Sequence, residues 1–221
     1  SDYAAEFLKG FQPNNPNLTE NIATGVFDPR VEQIYEPLED TQEVIGVVQG
    51  ADNTTAPTEI SKLGPSIVAS AEQDGYLITA AESYFLQAEA VQRGYLSGNA
   101  QDLFESGITA SFELHSIGDL AANYISNSNN TNLIGWTGST NKIEAIMTQK
   151  WIALNSINGV ESWIEYNRTG YPDVPLSTVA QQANRPYRLL YPASEYSANS
   201  ANVPQQSQSD AFNTTVFWDV N

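Results

Sequence analysis

The chain has 221 residues, 41% of them hydrophobic, enough for one substantial core with an irregular extension and too many for disorder throughout. Twenty-six acidic against nine basic side chains give a formal charge of -17, which repels phosphate backbones and argues against nucleic-acid binding. The absence of cysteine excludes disulfides and thiolate metal sites, and a lone histidine, His115, excludes any site built from two histidines of this chain.

No apolar run reaches the ~18 residues that a membrane-crossing helix needs. No basic-then-apolar signal stretch opens the chain at Ser1, and Ser1 to Ala5 reads like the interior of a helical protein. A short helical pattern runs from Tyr3 to Phe11 and is broken by Pro13, Asn14, Asn15, Pro16 and Asn17. The segment to about Leu63 is loop-rich. Its landmarks are Asp28-Pro29-Arg30, where proline fixes a turn, and Thr41 to Val48, whose apolar residues predict one short strand.

Three later pairs each place a capping residue three positions before a glutamate: Thr79 with Glu82, Asn141 with Glu144, and Asn158 with Glu161. After the first, Tyr84, Ala88, Val91 and Tyr95 recur at spacings of four, three and four, predicting one helix face that ends at Gly94 and Gly98. Asn99 caps the next helix, striped by Leu103, Phe104, Gly107, Ile108, Ser111, Phe112 and His115. So short a link predicts an antiparallel hairpin, with Ala88, Ala100 and Gly107 small enough for close backbone approach. Ala100 followed by Phe104 also fits the second helix of a tetratricopeptide unit.

A polar stretch from Ser126 to Asn132 interrupts the pattern. A third long helix then carries Ile143, Ile146, Met147, Lys150, Trp151 and Leu154 on one stripe, and a shorter fourth carries Val160, Trp163 and Ile164, ending near Gly170. Beyond it Pro172, Pro175, Pro186, Pro192 and Pro204 forbid another long helix. The tail reads as an irregular wrap with short strands near Leu189 and Val216. The fold class is therefore mostly α: tetratricopeptide-like hairpins with long loops, segmented as 1–63, 64–170 and 171–221.

Three ordered blocks carry a family resemblance. The first runs from Glu82-Ser83-Tyr84-Phe85-Leu86-Gln87-Ala88-Glu89-Ala90 through Gly94 and Ala100 to Gly107-Ile108-Thr109-Ala110-Ser111-Phe112. The second joins Gln149-Lys150-Trp151-Ile152-Ala153-Leu154 through Gly159 to Glu161-Ser162-Trp163-Ile164-Glu165-Tyr166-Asn167-Arg168-Thr169-Gly170-Tyr171-Pro172. The third is Tyr191-Pro192, Glu195-Tyr196 and Phe217-Trp218-Asp219. Together they resemble the SusD/RagB family, with Asn167 standing where many relatives carry a first arginine. Because complete members have a lipidated signal and an earlier helical half, the resemblance implies that this chain is a carboxy-terminal part of one such domain. It further implies a non-catalytic, cell-surface lipoprotein of the outer membrane, anchored through an N-terminus absent from this chain. Such a protein delivers an oligosaccharide or peptide to a SusC-like TonB-dependent transporter.

Sugar binding calls for aromatic faces and amide or carboxylate side chains, and the sequence supplies both. Trp136, in the loop Gly135-Trp136-Thr137-Gly138-Ser139, has no periodic partner and is read either as a ligand or transporter contact or as an anchor beneath the loop. Tyr35 and Tyr76 sit in similarly irregular surroundings. Structural roles are expected for Tyr84, Ala88, Phe104, Trp151 and Trp163 on their stripes, and for Arg168, whose neighbour at helical spacing is Glu165. His115 reads as a packed or capping residue, and no Gly-x-Ser-x-Gly elbow supports a serine triad. No calcium-loop pattern occurs, and neither metal nor cofactor is expected. Two other classes stay open: a peptide-binding tetratricopeptide-like scaffold, and a two-carboxylate glycoside hydrolase.

Overall fold

The computed structural model describes residues 1–51 and 54–217, and every regular element among them is helical. Nine α-helices are present among these residues: α1 (Asp2–Leu8), α2 (Val31–Ile34), α3 (Ala80–Gln92), α4 (Ala100–Leu114), α5 (Ala121–Ser128), α6 (Lys142–Leu154), α7 (Gly159–Thr169), α8 (Ala193–Ala198) and α9 (Gln208–Asn213). The chain divides into two compact units, Ser1–Thr178 and Val179–Asn221.

Capping chemistry fixes where the long helices start. Thr79 Oγ1 accepts from Glu82 N, Asn99 Oδ1 from Gln101 N and Asp102 N, Asn141 Oδ1 from Ile143 N and Glu144 N, and Asn158 Oδ1 from Glu161 N. Each satisfies amides that the first helical turn leaves without an internal partner. At the other end, Gly170 takes the left-handed conformation (φ 78°) that stops α7.

α3 and α4 fold back as the expected hairpin. They pack tightly at Gly107, where an added Cβ would lie 2.7 Å from the ring of Phe85. The buried face of α3 is not the one expected. It runs through Ala81, Phe85, Ala88 and Glu89, whereas Tyr84 is 38% and Tyr95 76% exposed. Both rows share Ala88 and the helical period, so spacing alone cannot tell them apart; the fit of Phe85 into the gap left by Gly107 decides.

Two apolar clusters meet at α6. One joins Phe85 of α3 and Phe104, Ile108 and Phe112 of α4 to Tyr124 of α5 and Ile146 and Met147 of α6. The other joins Ala4, Ala5, Phe7 and Leu8 of α1 and Val31 and Ile34 of α2 to Val44, Ile134 and Ile152. Because α6 lies between them, nearly its whole circumference from Ala145 to Leu154 is buried, Gln149 and Lys150 included. Trp151 packs edge-on against Tyr3 and Phe7. Trp163 departs from the core position expected of it: it is 38% exposed and stacks on Tyr166, because α7 buries only Glu165.

The strand expected over Thr41 to Val48 does not form. This segment opens in a turn at Thr41 and Gln42 and then has only scattered partners, Asp2 N to Val47 O and Ser61 N to Ile45 O, and the one β-bridge among the described residues pairs Tyr35 with Leu63. A lone extended segment without a continuous neighbour has no ladder to join. The strands expected near Leu189 and Val216 are also absent. The second unit is coil with the short helices α8 and α9, tied by Tyr187 N to Ala211 O at 2.8 Å. Trp218 and Asp219 lie outside the described residues.

Candidate functional site

Two polar networks of the first unit are built on buried arginine and lysine ion pairs, and one of them opens to the surface. The closed one centres on Arg30, whose exposure is 0%. Its guanidinium grips Asp28 through Nε (3.0 Å) and Nη2 (2.6 Å), and it donates to Ser111 Oγ (3.0 Å) and Gln149 Oε1 (2.8 Å). Gln149 in turn donates to Tyr124 OH and Ile134 O. The guanidinium also lies 4.8 Å from the Phe112 ring centroid and 5.4 Å from that of Tyr124. Burial opposes the charge on Arg30, yet Asp28 beside it outweighs that and holds its pKa above the ordinary value. Burial, with the Asp28 charge nearby, pushes the Tyr124 hydroxyl up as well.

His115 adjoins this network, 1% exposed at the end of α4. Ser66 Oγ lies 2.7 Å from its Nδ1 and 2.7 Å from Gln33 O. With the single serine proton donated to Gln33 O, the histidine supplies the proton on Nδ1, leaving Nε2 as a buried acceptor without a partner. Burial first, and then the Arg30 charge, lower its pKa to about 4, so the ring is neutral near pH 7.

The open network links α3, α6 and α7. Lys150, 2% exposed, donates to Glu165 at 2.6 Å and lies 3.6 Å from Glu82. Arg168 donates to Glu165 through Nε at 2.9 Å and clamps both oxygens of Glu89, at 2.7 and 2.6 Å. Glu89 also accepts from Arg93 Nε at 2.7 Å. The hydrogen bonds to Glu89 hold the Arg168 guanidinium well above its ordinary pKa. Burial would raise the Glu89 carboxyl, but Arg168 and Arg93 prevail and lower it.

At its outer end this network floors an open cup of about 270 Å³ lined by Leu86, Glu89, Ala90, Arg93, Tyr95 and Arg168. Leu86, Glu89, Ala90 and Arg93 follow one another at steps of three, one and three, which places them along one flank of α3 beside its buried face. Tyr95 stands on the rim just after Gly94 (φ 78°) turns the chain out of the helix. Glu165 and Arg168 were legible together from helical spacing. The Glu89 to Arg168 clamp joins residues 79 positions apart and was not.

The three aromatic ligand candidates fall in different surroundings. Trp136 is half-buried, its ring 5.4 Å from that of Phe104, while Lys142 Nζ donates to its carbonyl and to Ser139 O. The loop beneath it is tight, since an added Cβ at Gly135 would lie 1.9 Å from Ser128 O. Tyr35, expected on the ligand surface, is instead 9% exposed, with its hydroxyl donating to Asn155 Oδ1 at 3.1 Å. Its place between α2 and the bridge to Leu63 draws it into the second apolar cluster. Tyr76 is 43% exposed, in an irregular segment with Leu77 (94%) and Ile78 (62%).

Comparison with known proteins decides the family. The model of a SusD-like family, described as starch-binding and associating with the outer membrane, matches residues 12–192. The chain belongs to the SusD-like family. A SusD homologue from Bacteroides vulgatus ATCC 8482 superposes with a TM-score of 0.70 at 25% identity, over 88% of this chain and 47% of its own. One from Bacteroides thetaiotaomicron VPI-5482 gives 0.67 at 28% identity, over 88% and 49%. A chitin-binding protein shares the fold, with a TM-score of 0.69 at 23% identity, over 88% and 47%. The SusD-like chain thus spans about half the length of these structures. No protein with a curated description matches it.

Proposed function

We propose that this chain is part of an outer-membrane nutrient-binding protein that captures a glycan at the cell surface and passes it, uncleaved, to a SusC-like TonB-dependent transporter. The observation that carries the reading is the family match across residues 12–192, whose family is described as starch-binding. Relatives in that family argue for binding rather than bond cleavage, and the acidic surface argues against a polyanionic ligand. Anchoring through a lipidated N-terminus and delivery to the transporter belong to the same proposal. Tyr76 is retained as a proposed ligand contact because its ring is accessible.

The test is a glycan and peptide array probed with the full-length parent protein, each bound sugar then assayed for new reducing ends. Glycan binding without new ends supports the proposal. New reducing ends refute the uncleaved hand-over, and exclusive peptide binding replaces the ligand class.

A further inference from the structure

We propose that the cup bounded by Tyr95, Arg93 and Leu86 binds a single uncharged sugar ring of the glycan, an assignment that rests on the glycan-binding reading above. Three features point to this ligand. The first is the exposed phenol ring of Tyr95, a flat apolar surface of the kind that packs against the C–H face of a pyranose.

The second is the state of Arg93. Its Nε is committed to Glu89, whereas its Nη1 and Nη2 have no hydrogen-bond partner among the described residues. The planar fork therefore presents free donors with spacing suited to two neighbouring hydroxyl oxygens. Its orientation is set in advance, because Glu89 is itself clamped by both nitrogens of Arg168, and Arg168 is fixed to Glu165. A donor held in place by a buried carboxylate loses little freedom when a ligand arrives.

The third is charge. Arg93 and Arg168 meet Glu89 in the lining, and with Lys150, Glu82 and Glu165 behind them the network sets three cations against three carboxylates, in a chain whose formal charge is -17. Such a site offers no net attraction to a phosphate or sulfate and favours a neutral, hydroxyl-rich ligand. A volume of about 270 Å³ has room for one ring, and the open mouth lets the rest of the glycan extend into solvent.

The experiment uses the full-length parent protein on an array of neutral and acidic oligosaccharides that includes maltoheptaose and chitohexaose, followed by titration of the tightest neutral binder. Tyr95→Ala and Arg93→Gln should each weaken binding roughly ten-fold, as loss of one stacking face or one forked donor would. Tyr95→Phe, which keeps the ring, should lose far less. Tyr84→Ala, an exposed tyrosine of α3 that does not line the cup, should match wild type. Arg93→Gln decides the question if Tyr95→Ala does not fold. Wild-type binding with Arg93→Gln and Tyr95→Ala within two-fold overturns the cup and leaves the glycan reading standing. A wild-type protein that binds no sugar overturns both.

Discussion

Replacing Arg30 by methionine tests whether the closed network is the joint between the loop-rich first sixty residues and the helical hairpin. The side chain is fully buried and contacts Asp28, Ser111 and Gln149, which belong to the loop, α4 and α6. Methionine fills much of the volume, so the main loss is electrostatic. Asp28, 2% exposed, keeps its charge without its cation, and breaking one side of a buried pair costs about 3–5 kcal/mol. Gln149 Oε1 also loses a donor, although its amide keeps Tyr124 and Ile134. With a urea m-value of roughly 2 kcal/mol/M, the expected fall in midpoint is about 1.5–2.5 M, read by circular dichroism. Adding Asp28→Asn removes the stranded charge, so the double variant should recover about 1–2 kcal/mol over Arg30→Met alone. A single variant melting within about 0.5 kcal/mol of wild type, or strictly additive losses in the double, would show that the pair is not the joint.

His115 predicts acid sensitivity. Its folded pKa of about 4 lies below the ordinary value of 6.5, so the unfolded chain binds the proton more readily. Stability held above pH 6.5 is then lost as pH falls toward 4. Between pH 7 and 5 wild type should lose about 2 kcal/mol more than His115→Gln in urea melts, and equal losses would contradict the neutral buried ring. Phe104→Ala, at a 1% exposed site, should cost about 3–5 kcal/mol, and Trp163→Ala, at 38%, clearly less; the reverse order would put Trp163 in the core. Gly107→Val should cost about 1–3 kcal/mol through collision with Phe85, seen as a lower thermal midpoint, and an unchanged midpoint would mean the hairpin is looser there. Asn141→Ala, removing two accepted amide bonds, should cost about 1 kcal/mol by the same melts.

Local chemistry made much of this legible in advance. Caps are written within four residues of one another, so Thr79, Asn99, Asn141 and Asn158 marked the helix starts correctly. Burial was harder to read, because it depends on what lies opposite. Spacing allowed the Tyr84 row and the Phe85 row on α3 equally, and the gap at Gly107 on another helix chose between them. On α7 the apolar residues Val160, Trp163 and Ile164 have helical spacing yet remain exposed, while Glu165 is the buried one. α5 escaped the periodicity reading because it is short and rich in asparagine and serine, so that Ala121, Tyr124 and Ile125 are the few apolar residues it turns to the core, beside the buried Ser128. The cup was invisible because it depends on a clamp between residues of α3 and α7 that lie 79 positions apart.

The difference between the two networks bears on how a binding protein keeps a polar site rigid. Both begin from an arginine forked onto a carboxylate, and in both a buried side chain of α6 is the inner partner: Gln149 for Arg30, and Lys150 through Glu165 for Arg168. These two α6 residues are adjacent in sequence, so they point to different sides of the helix, one toward Arg30 and Tyr124 of α5 and one toward α7. A fully enclosed network such as that of Arg30 can serve only to hold the fold together. The one that ends at Arg93 has the same rigid inner anchoring, yet its last guanidinium stays half in solvent with free donors. Rigidity is then carried from Lys150 through Glu165, Arg168 and Glu89 to a group that a ligand can reach. Neutralising Glu89 would cut that chain one step behind Arg93, leaving the donor present but no longer aimed, which is why Arg93 and Glu89 are best read as one unit.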